Sequence, residues 1–405
     1  MTDTLKPRDA KDVENAVQWA LAESKALEVV GRGSKRALGR PGQTDVTLDL
    51  SGLSGVTLYE PEELVLSARA GTSMTEIEAL VASKNQQLEF EPMDYGPLLG
   101  QPDGAGSLGG AIAANLAGPR RIKSGAARDH FLGVSAVSGR GETFKSGGRV
   151  VKNVTGYDLC KVLAGSWGTL AAMTDITIKT LPRAETEETV LLLGLDDVRA
   201  ITAMSAAMAS SCDVSGAAHL PAHIAFRFGG LESTQATTAL RLEGVAPSVK
   251  HRKETLIALL QSYGSVTSLG AERSRLLWSS IRDVRPFAAN GPSGQRPVWR
   301  VSTVPSKGAE FATMIPPSAQ MFYDWAGGLI WIAPLPGLDV ATDEIRAAVR
   351  AVGGHATLIR ADASVRAASG VFEPQDGALA AVTKRVKESF DPKGVLNPGR
   401  MWAGV

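Results

Sequence analysis

Long apolar runs are missing from this 405-residue chain: no stretch approaches the ~20 residues that a bilayer-spanning helix requires. The N-terminus, MTDTLKPRDAKDVENA, is polar and has no apolar core of a secretory signal. A cytoplasmic chain is expected. Cysteine is scarce as well. Cys160 and Cys212 cannot build a disulfide framework, and two thiolates are too few to hold an iron–sulfur cluster of the usual kind. Excess charge of either sign is also lacking. Lys and Arg number 43 against 42 acidic residues, which excludes a nucleic-acid footprint and attraction to an anionic membrane surface. Histidine is sparse too, at His130, His219, His223, His251 and His355. His219 and His223 have ligand-like spacing, but Pro221 breaks the helix that this spacing presumes, so no metal is expected.

Glycine, by contrast, is abundant and clustered in the first half. Gly31–Gly39 reads GRGSKRALG and follows the short apolar strand Leu27–Val30. It is not a Rossmann fingerprint, because position 36 is Arg, and Gly39, Pro41 and Gly42 argue against a following helix. A turn at the end of a buried strand can still present free N–H groups to an anion. Gly104–Gly118 reads GAGSLGGAIAANLAG, where Gly109-Gly110 before small residues suggests a helix start able to meet a phosphate or a flavin edge. The alternative reading is a tightly packed Ala/Gly helix. A third Gly-punctuated segment is KNVTGYDLCKVLAGSWGTLAAMTDITI, from Lys152 to Ile178. Several backbone cradles in one half suggest a single long polyphosphate cofactor held at several points.

The periodicity predicts a helix over Asp9–Leu27 and strands at Val46–Leu50, Glu63–Ala70, Leu132–Val137 and Ala171–Leu181. Ser73-Met74-Thr75-Glu76 reads as a capping box that opens a helix. Pro182–Glu188 reads as a linker. Beyond it come a strand at Val190–Leu195, a helix at Asp196–Ala209, a strand at His223–Gly229 and a helix at Ser233–Leu242. Lys250–Asn290 reads as helical. Then follow a strand at Val298–Val304, a helix at Lys307–Met314 and a hairpin of Gln320–Trp325 with Leu329–Ala333. A helix at Asp339–Val352, a strand at Ala356–Arg360 and a final helix at Asp376–Phe390 complete the pattern. The second half thus reads as α+β with split βαβ units.

The order of the G-x-G-S turn, EPMDYG…GSLGGAIAAN, KNVTGYDLCKVLAGSWGTL and terminal DPKGVLNPGR resembles the flavoprotein family typified by vanillyl-alcohol oxidase and p-cresol methylhydroxylase (PCMH). Within it, RVVKNVTGYDLCKVLAGSWGTLAAMTDITIK is similar to the FAD-binding E-subunit family of bacterial glycolate oxidases. The resemblance runs from about Asp9 to Met401 and is densest between Glu91 and Lys179. It implies an α+β fold with a two-subdomain PCMH-type FAD-binding domain over 1–182. An α+β cap with split βαβ, ferredoxin-like units would span 183–375, and a helix and tail over 376–405 would return to the FAD site.

It further implies which residues hold FAD. Arg32, Gly33, Ser34, Lys35 and Arg36 would hold the pyrophosphate, and Pro92, Met93 and Asp94 would lie near the flavin. Gly106, Ser107, Gly109, Gly110 and Asn115 would wrap pyrophosphate, ribityl and ring. Arg128 and Asp129 would stand at the next strand's entrance, and Lys152, Gly156, Tyr157 and Asp158 would approach the ring or ribityl chain. Gly165, Gly168 and Thr169 would bring backbone close, Ile176 would touch the adenine, and Asn397 would reach the isoalloxazine. The first turn lacks the histidine through which some relatives attach flavin, so noncovalent FAD is implied. The H-x-G-D-G-N-x-H-type segment of relatives that oxidise 2-hydroxy acids is also missing. The implied activity is flavin-mediated oxidation of glycolate to glyoxylate, with electron transfer to a second FAD subunit and an iron–sulfur subunit. A self-sufficient D-2-hydroxy-acid dehydrogenase, D-lactate-like, is the alternative. It would need a cation for the substrate carboxylate, for which Arg296, Arg300 and Arg360 are candidates. No catalytic base is assigned.

Overall fold

A computed structural model describes residues 3–149, 157–337 and 340–405. Near the N-terminus, β1 (Asp3–Leu5), β2 (Leu27–Val30) and β3 (Val46–Asp49) form a parallel sheet in the order β1-β3-β2. The helix Ala10–Ala22 covers it. Asp9 caps that helix by accepting from Asp12 N at 2.8 Å, and Val13, Val17 and Ala20 are buried. It ends at Ala22, short of the expected Leu27, because Leu27 is drawn into the sheet. Next come β4 (Val56–Glu60), β5 (Val65–Arg69), β6 (Gln86–Gln87), β7 (Phe131–Ser138), β8 (Thr143–Gly147), β9 (Ala171–Lys179) and β10 (Leu181–Pro182). β6 pairs with β10, and the other five make an antiparallel sheet in the order β4-β5-β9-β7-β8. The helix Met74–Ala82 begins where the capping box predicts. Ser73 makes no side-chain cap bond, however, and its backbone bridges Ser107 instead.

The second half is built on one antiparallel sheet of β11 (Thr186–Leu193), β12 (Gly216–Leu220), β13 (Thr237–Gly244), β14 (Ser265–Leu269), β15 (Val298–Ser302), β16 (Gln320–Asp324), β17 (Leu329–Ala333) and β18 (His355–Arg360). Their order is β14-β11-β13-β12-β16-β17-β15-β18. This sheet is a β-α-β-β-α-β unit used twice, each with its fourth strand beside its first and its third beside its second. The two units join where β12 pairs with β16. Three sequence expectations fail here. His223–Gly229 is not a strand but holds the short helix Ala222–Ala225. Ser233–Leu242 is not a helix, since β13 occupies it. This central strand is buried on both faces from Thr237 to Leu242, so it shows no polar alternation to read. Lys250–Asn290 is interrupted by β14, an edge strand of mostly exposed residues between the helices Ala246–Leu260 and Ala271–Arg282.

Side chains alternate across this sheet. One face is covered by helices and holds Ala217, Leu240, Trp299, Tyr323 and Ile330. The other holds Ala218, Ala239, Phe322, Leu329 and Val298, and it shares one apolar cluster with Leu38, Met93, Tyr95, Leu98, Ala111 and Leu116 from the first half. That cluster seats the second half on the glycine-rich segments.

Candidate functional site

The turn after β2 is the centre of the site. Gly33 adopts φ +78°, a region open to glycine, and bonds from Arg36 N to Gly33 O and from Leu38 N to Lys35 O, each 3.1 Å, close the turn. The backbone N–H groups of Arg32, Gly33, Ser34 and Lys35 make no hydrogen bond to any described residue. These residues line an open cleft together with Ser107, Gly109, Gly110, Trp167, Gly168, Met173 and Arg400. Consecutive free N–H groups at such a turn make a nest for an anion.

The helix Leu108–Ala113 supplies packing rather than donors. Its first N–H groups are taken: Leu108 N by Thr72 O at 2.9 Å, Gly109 N by Ala70 O at 2.7 Å and Gly110 N by Ser107 Oγ at 3.3 Å. These three N–H groups are therefore not open to a phosphate, while Ser107, Gly109 and Gly110 still line the cleft. A Cβ on Gly109 would lie 2.9 Å from Ala70 O, so this glycine lets the helix sit on the end of β5. Gly110 does face the cleft, with Lys35 Nζ 3.3 Å from where its Cβ would be.

The cleft is cationic. Burial lowers the Lys35 ammonium to about 8, nearby Asp94 opposes that shift, and the guanidinium of Arg400 adds to it. Arg400 donates from Nη2 to Lys35 O at 2.9 Å and Leu38 O at 3.2 Å, while its buried Nε has no partner. Arg36 instead pairs with Glu28, its Nε 2.9 Å from Oε1. Four free N–H groups, a half-buried ammonium and an orphaned guanidinium nitrogen fit a diphosphate. Arg400 was not anticipated from sequence, although it lies in the same LNPGR motif as Asn397.

Other expected residues stand around this cleft. Pro92, Met93, Asp94 and Gly106 line an adjoining pocket that shares Lys35. The Asp94 carboxylate accepts from Gly96 N at 2.9 Å and Gly104 N at 2.7 Å, which shapes the loop over the pocket. Asn115, at φ +47°, accepts from Arg128 N at 2.9 Å. Gly165 N and Trp167 N bond to Ile112 O and Ala113 O, docking the Gly165–Thr169 turn on the helix end. Asn397 is a clamp: Oδ1 accepts from Val29 N at 2.8 Å, and Nδ2 donates to Trp167 O at 2.8 Å and Val29 O at 3.4 Å. Its amide is thus engaged by backbone on both its oxygen and its nitrogen.

Several expected residues do not gather at the cleft. Asp129 and Asp158 line a different pocket with Lys161 and Lys179, and Arg128 is exposed beside it, its carbonyl bound by Lys161 Nζ at 2.5 Å. Tyr157 is 89% exposed. Ile176 is buried in the core, and its strand neighbours Ala171 and Met173 reach the cleft instead. Lys152 and Gly156 lie outside the described residues. Among the described residues no cluster of ligating side chains is arranged for a metal, and Cys160 and Cys212 are buried free thiols. His219 faces the helix-covered side of the sheet, 3.3 Å from Asp197.

Two charge groupings lie between the halves. Glu91 holds Arg241 with two bonds, of 2.8 and 3.0 Å, and Arg120 holds Glu243 at 2.6 Å. Burial alone would raise the Glu91 carboxyl, but Arg120 and Arg241 override it and hold it at about 2. On the same face of the sheet lies Arg300. Its guanidinium makes no hydrogen bond to any described residue and lies 5.0 Å from the centroid of the Trp325 ring, which Arg121 approaches to 4.9 Å. Arg296 and Arg360 are committed to carbonyl oxygens, Arg296 to Ala333 O at 3.0 Å and Arg360 to Phe287 O and Leu98 O.

A cationic, N–H-lined cleft in a half with this double-sheet layout, seated under an antiparallel cap, is the architecture of a PCMH-type FAD-binding oxidoreductase. Residues 4–147 match a family model described as an FAD binding domain. The solved structure of p-cresol methylhydroxylase with substrate bound superposes with a TM-score of 0.70 at 13% identity, covering 98% of this chain and 88% of that one. Glycolate oxidase subunit GlcE of Escherichia coli (strain K12) is 33% identical over 388 residues, 96% of this chain and 95% of that protein. The chain belongs to that family of FAD-linked glycolate oxidase subunits. Glycolate oxidase subunit GlcD of Bacillus subtilis (strain 168) is 23% identical over 98% of this chain and 88% of its own length. No helix among the described residues is long and apolar enough to cross a membrane.

Proposed function

We propose that this chain is the FAD-carrying E-type subunit of a glycolate-oxidising assembly. In this reading residues 1–182 hold the cofactor, 183–375 form the substrate-side cap, and 376–405 return to the cleft. FAD, when bound, supplies the hydride acceptor. The protein holds its diphosphate between the Arg32–Lys35 N–H groups and the Lys35 and Arg400 cations, and Asn397 keeps the surrounding loops in place. Electrons leave to a second flavin subunit and an iron–sulfur subunit, since two buried cysteines cannot carry a cluster. Assembly places the chain in the cytoplasm, at an inner membrane through its partners. The observation that carries this reading is a cationic, N–H-lined cleft in a chain that matches a glycolate oxidase subunit nearly end to end. Purification alone and with co-expressed partners tests it. Flavin absorbance is expected in both preparations and glycolate-dependent dye reduction only in the complex.

One observation favours a second reading, a self-sufficient 2-hydroxy-acid dehydrogenase. Arg300 is a cation without a hydrogen-bonding partner among the described residues, on the face turned toward the first half, as a substrate carboxylate requires. Under that reading Arg300→Met abolishes substrate-driven flavin bleaching by the lone chain.

A further inference from the structure

The last residues of the chain fold back into it. Lys387, on the helix Gly377–Phe390, is buried and donates to Thr169 O at 2.6 Å, Asp391 Oδ2 at 2.6 Å and Leu396 O at 2.9 Å. Asp391 accepts in turn from Val395 N at 2.9 Å and Leu396 N at 2.8 Å. These bonds reverse the tail, so that Leu396 bridges Leu27 and Asn397 N donates to Leu27 O at 2.9 Å. Three residues later Arg400 forms part of the cleft wall.

Arg400 is only partly satisfied there. Nη2 holds the carbonyls of the glycine turn, whereas the buried Nε has no acceptor. Leaving a charged donor buried and unpaired costs free energy. Nearby acid relieves it only in part. Lys35 shares the cleft, Arg366 bonds Gly39 O on the same turn, and Glu28 is taken up by Arg36. Surplus positive charge beside free N–H groups matches a diphosphate, which brings two charges and several acceptor oxygens.

We propose that Arg400 is a cofactor-binding residue that holds the dinucleotide's diphosphate from the tail side, so that FAD binding and docking of the C-terminal tail are one coupled event. The proposal rests on FAD lying in this cleft. A ligand that touches the tail stabilises its docked state, and by reciprocity a docked tail tightens the ligand.

The test uses flavin-free full-length protein, with ADP as a diphosphate probe lacking flavin, alongside FAD itself. Arg400→Gln is expected to weaken both by about tenfold or more, the usual weight of a charge-assisted bond. Arg400→Lys recovers part of that loss. Arg273→Gln, on the helix Ala271–Arg282 away from the cleft, leaves both affinities near wild type. Arg400→Gln also flattens the salt dependence of ADP binding, which loss of a merely structural contact would not do. In wild-type protein, ADP is expected to slow hydrogen exchange across residues 392–401. That arm needs no variant and stands even if Arg400→Gln does not fold. Unchanged ADP affinity in Arg400→Gln, or tail exchange indifferent to ADP, overturns the coupling of Arg400 and the tail to the diphosphate alone. A wild type that binds neither ADP nor FAD overturns the cleft assignment along with it.

Discussion

A Cβ added to Gly168 would lie 2.8 Å from the side-chain nitrogen of Asn397. Gly168 is also at φ +73°, so a substitution there meets both crowding and backbone strain. The glycine and the asparagine are therefore one device, in which the tail's amide reaches across Gly168 to join Val29 and Trp167. Gly168→Ala and Asn397→Ala are both expected to lower FAD occupancy. Asn397→Ala, which removes three bonds to backbone, should also cost about 2 kcal/mol of stability. Any flavin that remains bound should keep its absorption spectrum, because the Asn397 amide is already engaged by Val29 and Trp167. Thermal melts and difference spectra of the two variants check this.

The pH dependence of FAD binding should report Lys35. Its ammonium is lowered to about 8 by burial and by Arg400, against the pull of Asp94. A bound diphosphate favours the charged form, so binding takes up a proton where Lys35 is neutral. Affinity is expected to hold below about pH 8 and to fall as pH rises above it. Isothermal titration in buffers of different ionisation enthalpy measures the proton uptake. Lys35→Met should weaken binding at neutral pH and remove this dependence.

Much of this site could be read from sequence, and the failures share a cause. The G-x-G-S turn was legible because a strand running into glycines leaves its N–H groups free. The Gly109-Gly110 segment offers no free donor, because Ala70 O and Ser107 Oγ take its N–H groups, and that is a tertiary fact sequence cannot show. Arg128, Asp158 and Ile176 belong to segments that support the fold, and position within a motif does not tell a lining side chain from a buried one. Arg400 went unnoticed because its signal is a tertiary one, an unmet donor beside Lys35. In the second half, the strands β15, β16 and β17 were legible from short apolar runs bounded by turns. β13, buried on both faces, was not.

The buried ions between the halves should govern acid stability. Glu91 is held at about 2 in the folded protein, below its ordinary value, so its contribution is complete above about pH 4.5. It is lost as pH falls toward 2. Glu91→Gln leaves Arg241 buried with less counter-charge and is expected to cost about 3–5 kcal/mol at neutral pH. The variant's loss relative to wild type should shrink as pH is lowered through this window. Urea melts at several pH values give the comparison.

Flavin attachment is checked by acid precipitation. The turn Gly31–Gly39 holds no histidine to form a bond to the ring. The yellow chromophore should pass to the supernatant, and the polypeptide mass should equal that of the unmodified sequence.

The most direct measurement of the subunit reading is anaerobic stopped-flow reduction of the FAD-loaded chain by glycolate and by D-lactate, alone and then with its partner subunits. The lone chain is expected to bleach slowly and incompletely, and the assembled complex rapidly. Rapid, complete bleaching of the lone chain, lost in Arg300→Met, would contradict the subunit reading and establish a self-sufficient dehydrogenase instead.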